Sequence, residues 1–387
     1  MGGNHTCIIK KPCQRIIIIS FIAFLLFINT ALISSAEPLK PNSSCIVIEQ
    51  STGRILSGMN IDSRLPMAST TKIVTALVVI ERIDLNKVIT IPREATGIEG
   101  SSIYLKSGHK WKVIDLLYGL MLRSGNDAAA ALAIECGGSI GGFVKMMNDK
   151  AKKMGLDNTH FTNPHGLHHD DHYTSAYDLA MLTREGMKYD VFRKIVSSKS
   201  YSFLTQEDIR CVFVNKNKML SFFQGANGVK TGYTKKSGRC LVSAAKRGNM
   251  QLITVALNCN DMWNESMKLM ETAFDNYQMY EILKAGEPVG ETRVIRSLKH
   301  STMLVSKSDF YYPVRYDEIE KINYDTDFKV LKAPVKKNEY GGKIRILLDN
   351  HLIFTADAYT IENVEGKTVA DHFKDIVRKW KTEYENQ

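Results

Sequence analysis

Cysteine is sparse in this 387-residue chain: there are seven, and no two stand in a C-x-x-C pair. Cys7 and Cys13 fall in an N-terminal segment, leaving Cys45, Cys136, Cys211, Cys240 and Cys259. An odd set without paired spacing indicates neither a disulfide framework nor a zinc site; one bridge and buried free thiols both remain open. Basic clusters interleaved with aromatics are missing too, so nucleic acid is not an expected partner. The net charge of +10, from 51 Lys and Arg against 41 Asp and Glu, suits attraction to anionic membranes or wall polymers instead. There is no H-E-x-x-H. The dense run His165, His168, His169, Asp170, Asp171, His172 begins at an Asn163-Pro164 turn and is read as a solvated loop near the cleft, with His165 and His172 as candidates for a structural role and no metal assigned. Beyond the first 36 residues no apolar run is long enough to span a bilayer.

What is present is a chain with 44% hydrophobic and 24% charged residues, ordinary globular usage for two or three domains. Lys10, Lys11 and Arg15 precede an apolar run from Ile16 to Phe27, and Ser34-Ser35-Ala36 precedes Glu37. This is the layout of a signal peptide over 1–36, cleaved after Ala36, and it places the working part outside the cytoplasm. A retained N-terminal anchor is the lesser alternative.

Downstream, Cys45-Ile46-Val47-Ile48 followed by Ser51-Thr52-Gly53 reads as a strand and turn. Ser69 to Glu81 is apolar nearly all round, the mark of a buried helix. Val113 to Leu122, Asp127 to Glu135 and Ser139 to Met154 are further helices. Cys240 to Ala245 and Leu252 to Asn258 form a hairpin across Lys246-Arg247-Gly248-Asn249. Strands at both ends of a helical block suggest an α+β domain, an antiparallel sheet packed against helices, over 37–285. A helical stretch is expected from Met262 to Leu283. Short β-type runs (Thr302 to Val305, Phe310 to Val314, Phe328 to Leu331, Ile344 to Leu348) place a small all-β domain at 286–365. Residues 366–387 hold an amphipathic helix with Val369, Phe373, Ile376, Val377, Trp380 and Tyr384 on one stripe and Lys374, Arg378, Lys379 and Lys381 beside it. Such a helix suits a membrane interface or packing on its own domain.

Three motifs carry chemistry. Ser69-Thr70-Thr71-Lys72 places an amine one helical turn from a hydroxyl. Burial lowers a lysine's pKa toward that of a useful base, and a serine needs a base to become a nucleophile. The N–H groups at a helix start can hold a developing oxyanion. Ser124-Gly125-Asn126 forms a polar turn between two apolar helices and offers a hydroxyl and an amide for proton relay and substrate positioning. Lys230-Thr231-Gly232 precedes Tyr233: a cation and a hydroxyl on a strand edge grip a carboxylate, and glycine lets a ligand backbone approach. Each motif alone is weak, since capped helices and strand ends look the same. Their joint order is that of the S-x-x-K, S-D-N and K-T-G motifs of penicillin-interacting serine enzymes, with Gly125 where the lactamase form has aspartate.

On these motifs, and on Gly100 to Leu105, Asp115 to Ala133, Gly155 to Phe161, Asn163 to Leu167, Tyr177 to Ala180 and Gly228 to Leu257, the chain resembles the D-alanyl-D-alanine carboxypeptidases. These are the low-molecular-mass penicillin-binding proteins, here in the style of Gram-positive spore formers. The resemblance implies a penicillin-binding/β-lactamase-like catalytic domain and a hydrolase removing the terminal D-alanine from peptidoglycan stem peptides, without cofactor. It implies Ser69 as acylated nucleophile, Lys72 as its base, and Ser124 as proton relay to the leaving nitrogen. Asn126 would contact the substrate backbone, Lys230 and Thr231 its carboxylate, and the N–H groups of Ser69 and Tyr233 the oxyanion. β-Lactam antibiotics become covalent inhibitors, and the enzyme is expected on the outer face of the cytoplasmic membrane or in the wall. Asn215-Lys216-Asn217 stands where members often carry Asn-Arg-Asn, and a lysine cannot reproduce bidentate carboxylate binding. A catalytically silent wall-peptide binder and a β-lactamase are the alternatives. The second lacks a Glu-x-x-Leu-Asn stretch between Asn126 and Lys230.

Overall fold

The computed structural model describes residues 42–205 and 208–385. The signal-peptide expectation on 1–36, with Cys7 and Cys13, lies outside them.

Strands β1 (Ser44–Glu49) and β2 (Ile55–Met59) form an antiparallel pair across the turn read from Ser51-Thr52-Gly53. A tight turn, Ala68–Thr71, leads into α1 (Lys72–Arg82), whose residues Lys72 to Val79 are all buried. That is the environment its all-round apolar sequence demands. Helix α2 (Val113–Tyr118) widens into a π-type turn, Gly119–Arg123, before α3 (Asn126–Gly137). Helices α4 (Ile140–Lys153) and α5 (Ala176–Gly186) follow, each with a serine cap, Ser139 and Ser175. A small hairpin of β3 (Ser200–Leu204) and β4 (Arg210–Val214) precedes the long strands β5 (Ala226–Thr234), β6 (Gly238–Arg247) and β7 (Met250–Leu257). The main sheet runs β2-β1-β7-β6-β5, antiparallel throughout, with β5 at its edge. Every residue of β7 is buried, because α5 and α6 (Met262–Asn276) both pack against this central strand.

The helix expected to reach Leu283 stops at Asn276. Tyr277 is extended, and β8 (Gln278–Leu283) pairs with β11 (Phe310–Val314). The paired strand takes up Ile282 and Leu283, which are buried in the core of the β-rich part. The β-rich part therefore begins before residue 286. Its larger sheet contains β9 (Pro288–Ile295), β10 (Ser301–Ser306), β12 (Ile322–Phe328), β13 (Leu331–Lys332), β14 (Tyr340–Leu348) and β15 (His351–Thr360), in the order β12-β14-β15-β10-β9-β13. The strand expected over Phe328 to Leu331 is instead the break between β12 and β13. Ile282, Leu283, Ile344, Ile346 and Ala356 form one core of this part.

Arg54 ties the two parts together. Its guanidinium donates to the Pro313 carbonyl and to Glu318 (2.6 Å) and lies over the rings of Tyr277 and Tyr312. Last comes α7 (Val369–Glu385), with Phe373 67% and Trp380 74% exposed. Among the described residues no single helix is long and apolar enough to cross a membrane.

Candidate active site

The Ser69 turn is not an ordinary helix cap. No side chain caps the Ala68–Thr71 turn or α1, and the hydroxyl of Ser69 meets an amine instead. Lys72 is fully buried; its Nζ donates to Asn126 Oδ1 (2.7 Å) and the His165 carbonyl (2.5 Å) and lies 3.0 Å from Ser69 Oγ. These three partners fix the amine's position, while burial, followed by the charge of Lys230, holds its pKa well below the ordinary lysine value. A neutral amine can take the serine proton. Ala68, just before the serine, has φ +48, left-handed backbone that costs a non-glycine residue about 1–2 kcal/mol. The turn is thus held by its neighbours and not by local preference.

Those neighbours are two glycines. A Cβ on Gly232 would lie 3.0 Å from Ser69 N, 3.1 Å from the Met67 carbonyl and 3.2 Å from Ala68 Cβ. The sequence reading gave Gly232 to ligand approach; the atoms that crowd it belong to the turn bearing Ser69. On the other side a Cβ on Gly166 would fall 1.9 Å from the Ala68 carbonyl oxygen. Ala68 is wedged between two backbones.

Strand β5 supplies the cationic wall. Lys230 is buried, its Nζ donates to the Thr231 carbonyl (3.0 Å), and burial with the charge of Lys216 lowers its pKa to about 7. Thr231, Gly232 and Tyr233 line a cleft of about 340 Å³ with Ser69, Ser124 and Ser101. Lys216, Met262 and Trp263 complete it. Ser124 occupies left-handed backbone (φ +66) at the end of the π-type turn, which turns this buried hydroxyl into the cleft lining. Gly125 has no room for a side chain, since a Cβ would stand 2.8 Å from Asp127 Oδ1 and 3.2 Å from Ile103 Cγ2. Asn126 is buried; its Oδ1 accepts from Lys72 and its Nδ2 donates to the Glu99 carbonyl (2.5 Å). The structure therefore brings all eight sequence-predicted residues to one place, with Lys72, Asn126 and Lys230 behind the cleft surface.

Sequence reasoning missed Asp127, Ser101, Met262 and Trp263. Asp127 accepts from Ser102 Oγ (2.6 Å), Ile103 N (3.0 Å) and Leu105 N (3.1 Å), so one carboxylate shapes the loop carrying Ser101. The family-like run Gly100 to Leu105 was the signal for that loop; nothing in the sequence marked Trp263. Lys216 does reach the cleft, donating to Ser101 Oγ at 3.5 Å. The histidine run is not uniformly solvated: His168 and His169 are exposed, but His172 is buried. Among the described residues no group of His, Cys, Asp and Glu is arranged to hold a metal ion, and the five cysteines carry free thiols.

A sheet-and-helix domain with a serine–lysine pair beside a cationic edge strand defines the class of penicillin-binding and β-lactamase-like serine enzymes. Residues 33–261 match the peptidase S11 family, described as D-alanyl-D-alanine carboxypeptidase, and 277–366 match the C-terminal domain of penicillin-binding protein 5. The chain belongs to the D-alanyl-D-alanine carboxypeptidase family. It is 30% identical to D-alanyl-D-alanine carboxypeptidase DacF of Bacillus subtilis, over 87% of this chain and 89% of that one. Penicillin-binding protein 5 of Haemophilus influenzae superposes with a TM-score of 0.70 at 30% identity, covering 86% of this chain and all of that structure. The Streptomyces K15 DD-transpeptidase matches 60% of this chain and 96% of its own, with a TM-score of 0.57 at 33% identity. The protein is a serine-type D-Ala-D-Ala carboxypeptidase, a hydrolase.

Proposed function

We propose that this carboxypeptidase works through an acyl-enzyme on Ser69. The neutral amine of Lys72 takes the Ser69 proton as Oγ attacks the penultimate carbonyl of a stem peptide. The Ser69 and Tyr233 N–H groups hold the oxyanion. As the C–N bond breaks, Ser124 passes a proton to the departing D-alanine nitrogen, and water then cleaves the ester and frees Ser69. Lys230 and Thr231 hold the terminal carboxylate, and Asn126 touches the substrate backbone. The observation that carries this reading is the 3.0 Å bond between a fully buried Lys72 amine and Ser69 Oγ. A silent binder has no use for such a pair. Penicillins imitate the peptide end and acylate the same oxygen, and their slow release, over many minutes, separates this reading from a β-lactamase.

The test uses the chain without its first 36 residues. It is expected to take one covalent label from fluorescent penicillin and to release D-alanine from a stem pentapeptide. Ser69→Ala should do neither. A label that survives in Ser69→Ala removes the assignment, and binding without D-alanine release favours the silent reading.

The site of action is the outer face of the membrane. Val369, Phe373, Ile376, Val377 and Trp380 of α7 are exposed, an apolar stripe with lysines and arginine beside it, which supports a helix lying in a lipid interface. Ending the chain at Gly366 is expected to move the protein from the membrane fraction to the soluble fraction of its host. Retention in the membrane fraction would assign anchoring to another segment.

A further inference from the structure

The loop from Asn163 to His172 supplies the His165 carbonyl to Lys72 and packs against the turn that bears Ser69. His172 is buried, with its ring edge-on to Phe161. The backbone N–H of Thr162 donates to His172 Nδ1 (3.0 Å). That nitrogen is therefore unprotonated, and the neutral ring carries its hydrogen on Nε2. Burial first, then neighbouring His165, lowers the ring's pKa to about 3, so it stays neutral at any working pH. Nε2 lies 2.8 Å from Thr71 Oγ1, and the Thr71 hydroxyl donates to the Ala68 carbonyl (2.8 Å). The direction of the whole chain follows: Thr162 N–H to His172, His172 N–H to Thr71, Thr71 O–H to Ala68 O.

The last acceptor matters because of peptide geometry. The Ala68 carbonyl and the Ser69 N–H belong to one planar trans unit and point in opposite directions. Fixing the oxygen on the loop side aims the N–H toward the cleft. Ala68 lies in left-handed backbone, so the plane does not rest there by local preference. Gly166 lets the loop come close enough to close this bond system, since any Cβ there would overlap the Ala68 oxygen.

We propose that His172 is a positioning residue for acylation: through Thr71 it holds the Ala68 carbonyl, and so aims the Ser69 N–H that receives the oxyanion. This rests on Ser69 as the nucleophile. The bond forms fully with an oxyanion, so its misalignment slows the acyl transfer more than it weakens prior binding.

The experiment follows acylation of the full chain by fluorescent penicillin at limiting and saturating concentrations, with a thermal melt for every variant. His172→Asn keeps an acceptor near the Nδ1 position and loses the donor to Thr71; His172→Gln keeps a donor that reaches Thr71. Thr71→Val removes the relay, and Thr71→Ser retains it. His172→Asn and Thr71→Val are each expected to slow acylation at saturation about tenfold or more, with apparent binding within about twofold of wild type. Gln and Ser should restore most of the rate, and the His172→Asn/Thr71→Val double variant should be no slower than the slower single one. Should His172→Asn fail to fold, Thr71→Val carries the test, because it leaves His172 and its Thr162 contact in place. Equal losses in His172→Asn and His172→Gln, wild-type acylation in Thr71→Val, or additive losses in the double variant each overturn the proposal. Ser69→Ala run in parallel keeps the two readings apart: a label there removes the nucleophile, whereas a fast Thr71→Val removes only the relay.

Discussion

Lys72→Met is expected to slow acylation by penicillin about 10³-fold or more while leaving the protein folded. The methionine fills the same buried volume without a charge, but nothing then accepts the Ser69 proton, and general bases contribute about 10²–10⁴ to such steps. The Asn126 Oδ1 and His165 carbonyl lose a donor, a cost of about 1–3 kcal/mol each in stability. The pH profile of wild-type kcat/KM makes the same point. The proposed mechanism needs Lys72 neutral and Lys230 charged. Protonation of Lys72 removes the base as pH falls, so it sets the acid limb; deprotonation of Lys230, depressed to about 7, removes the carboxylate grip as pH rises, so it sets the alkaline limb. Lys216 lowers both values by its charge, and Lys216→Gln should move the whole bell to higher pH. A profile that stays in place in Lys216→Gln, or a Lys72→Met enzyme acylated at near wild-type rate, would reverse these assignments.

Gly166→Ala should damage the enzyme almost as severely from outside the cleft lining. The new Cβ would meet the Ala68 oxygen at 1.9 Å, the Ala68 carbon at 2.4 Å and Thr71 Oγ1 at 2.9 Å, on backbone with φ +89. Neither the loop nor the turn can yield alone, because the Ala68 methyl faces Gly232 on the far side. A stability loss of about 3 kcal/mol or more is expected, with loss of penicillin labelling in whatever remains folded. Gly97→Ala is the comparison: φ is +71 there but nothing lies within 4 Å, so only the backbone strain of about 1 kcal/mol applies. Thermal melts and labelling of the two variants side by side decide the matter. Equal behaviour would mean that the turn before Ser69 is softer than its packing implies.

What could be read in advance follows from where each signal resides. The S-x-x-K tetrad, the Ser124 turn and the Lys230 strand each carry their residue types in a short run, so the order of three runs, with the resemblance it carries, was enough to place eight residues around one cleft. The nearly all-round apolar character of Ser69 to Glu81 announced a buried helix because burial on every side is a property of the segment itself, and Lys72 to Val79 are buried. Asp127 was different. Its partners, Ser102, Ile103 and Leu105, lie more than twenty residues earlier, and its sequence context suits a helix start equally well. Trp263 reaches the cleft from the first turn of α6 only because that helix folds back over the sheet. His172 sat inside a run of largely exposed polar residues, where composition argued for solvent; its contacts with Phe161, Thr162 and Thr71 account for its burial. The domain junction was obscured by a similar conflict. Met262 to Asn276 is helical by periodicity, and the apolar residues that follow continue the appearance of a helix until a partner strand 30 residues away claims them.

Strand β5 ends the main sheet, and among the described residues no sixth strand pairs with its outer row of N–H and C=O groups. An open edge of this kind is normally a hazard, because any extended chain can pair with it and proteins can polymerise through it. Here the turn bearing Ser69 crowds one side of the strand at Gly232, and Trp263 and Met262 flank the cleft beside it. The cleft beside the strand holds about 340 Å³, room for a short extended segment rather than a folded molecule. The same vacancy that threatens solubility in other sheets thus becomes a gauge for the width of what enters.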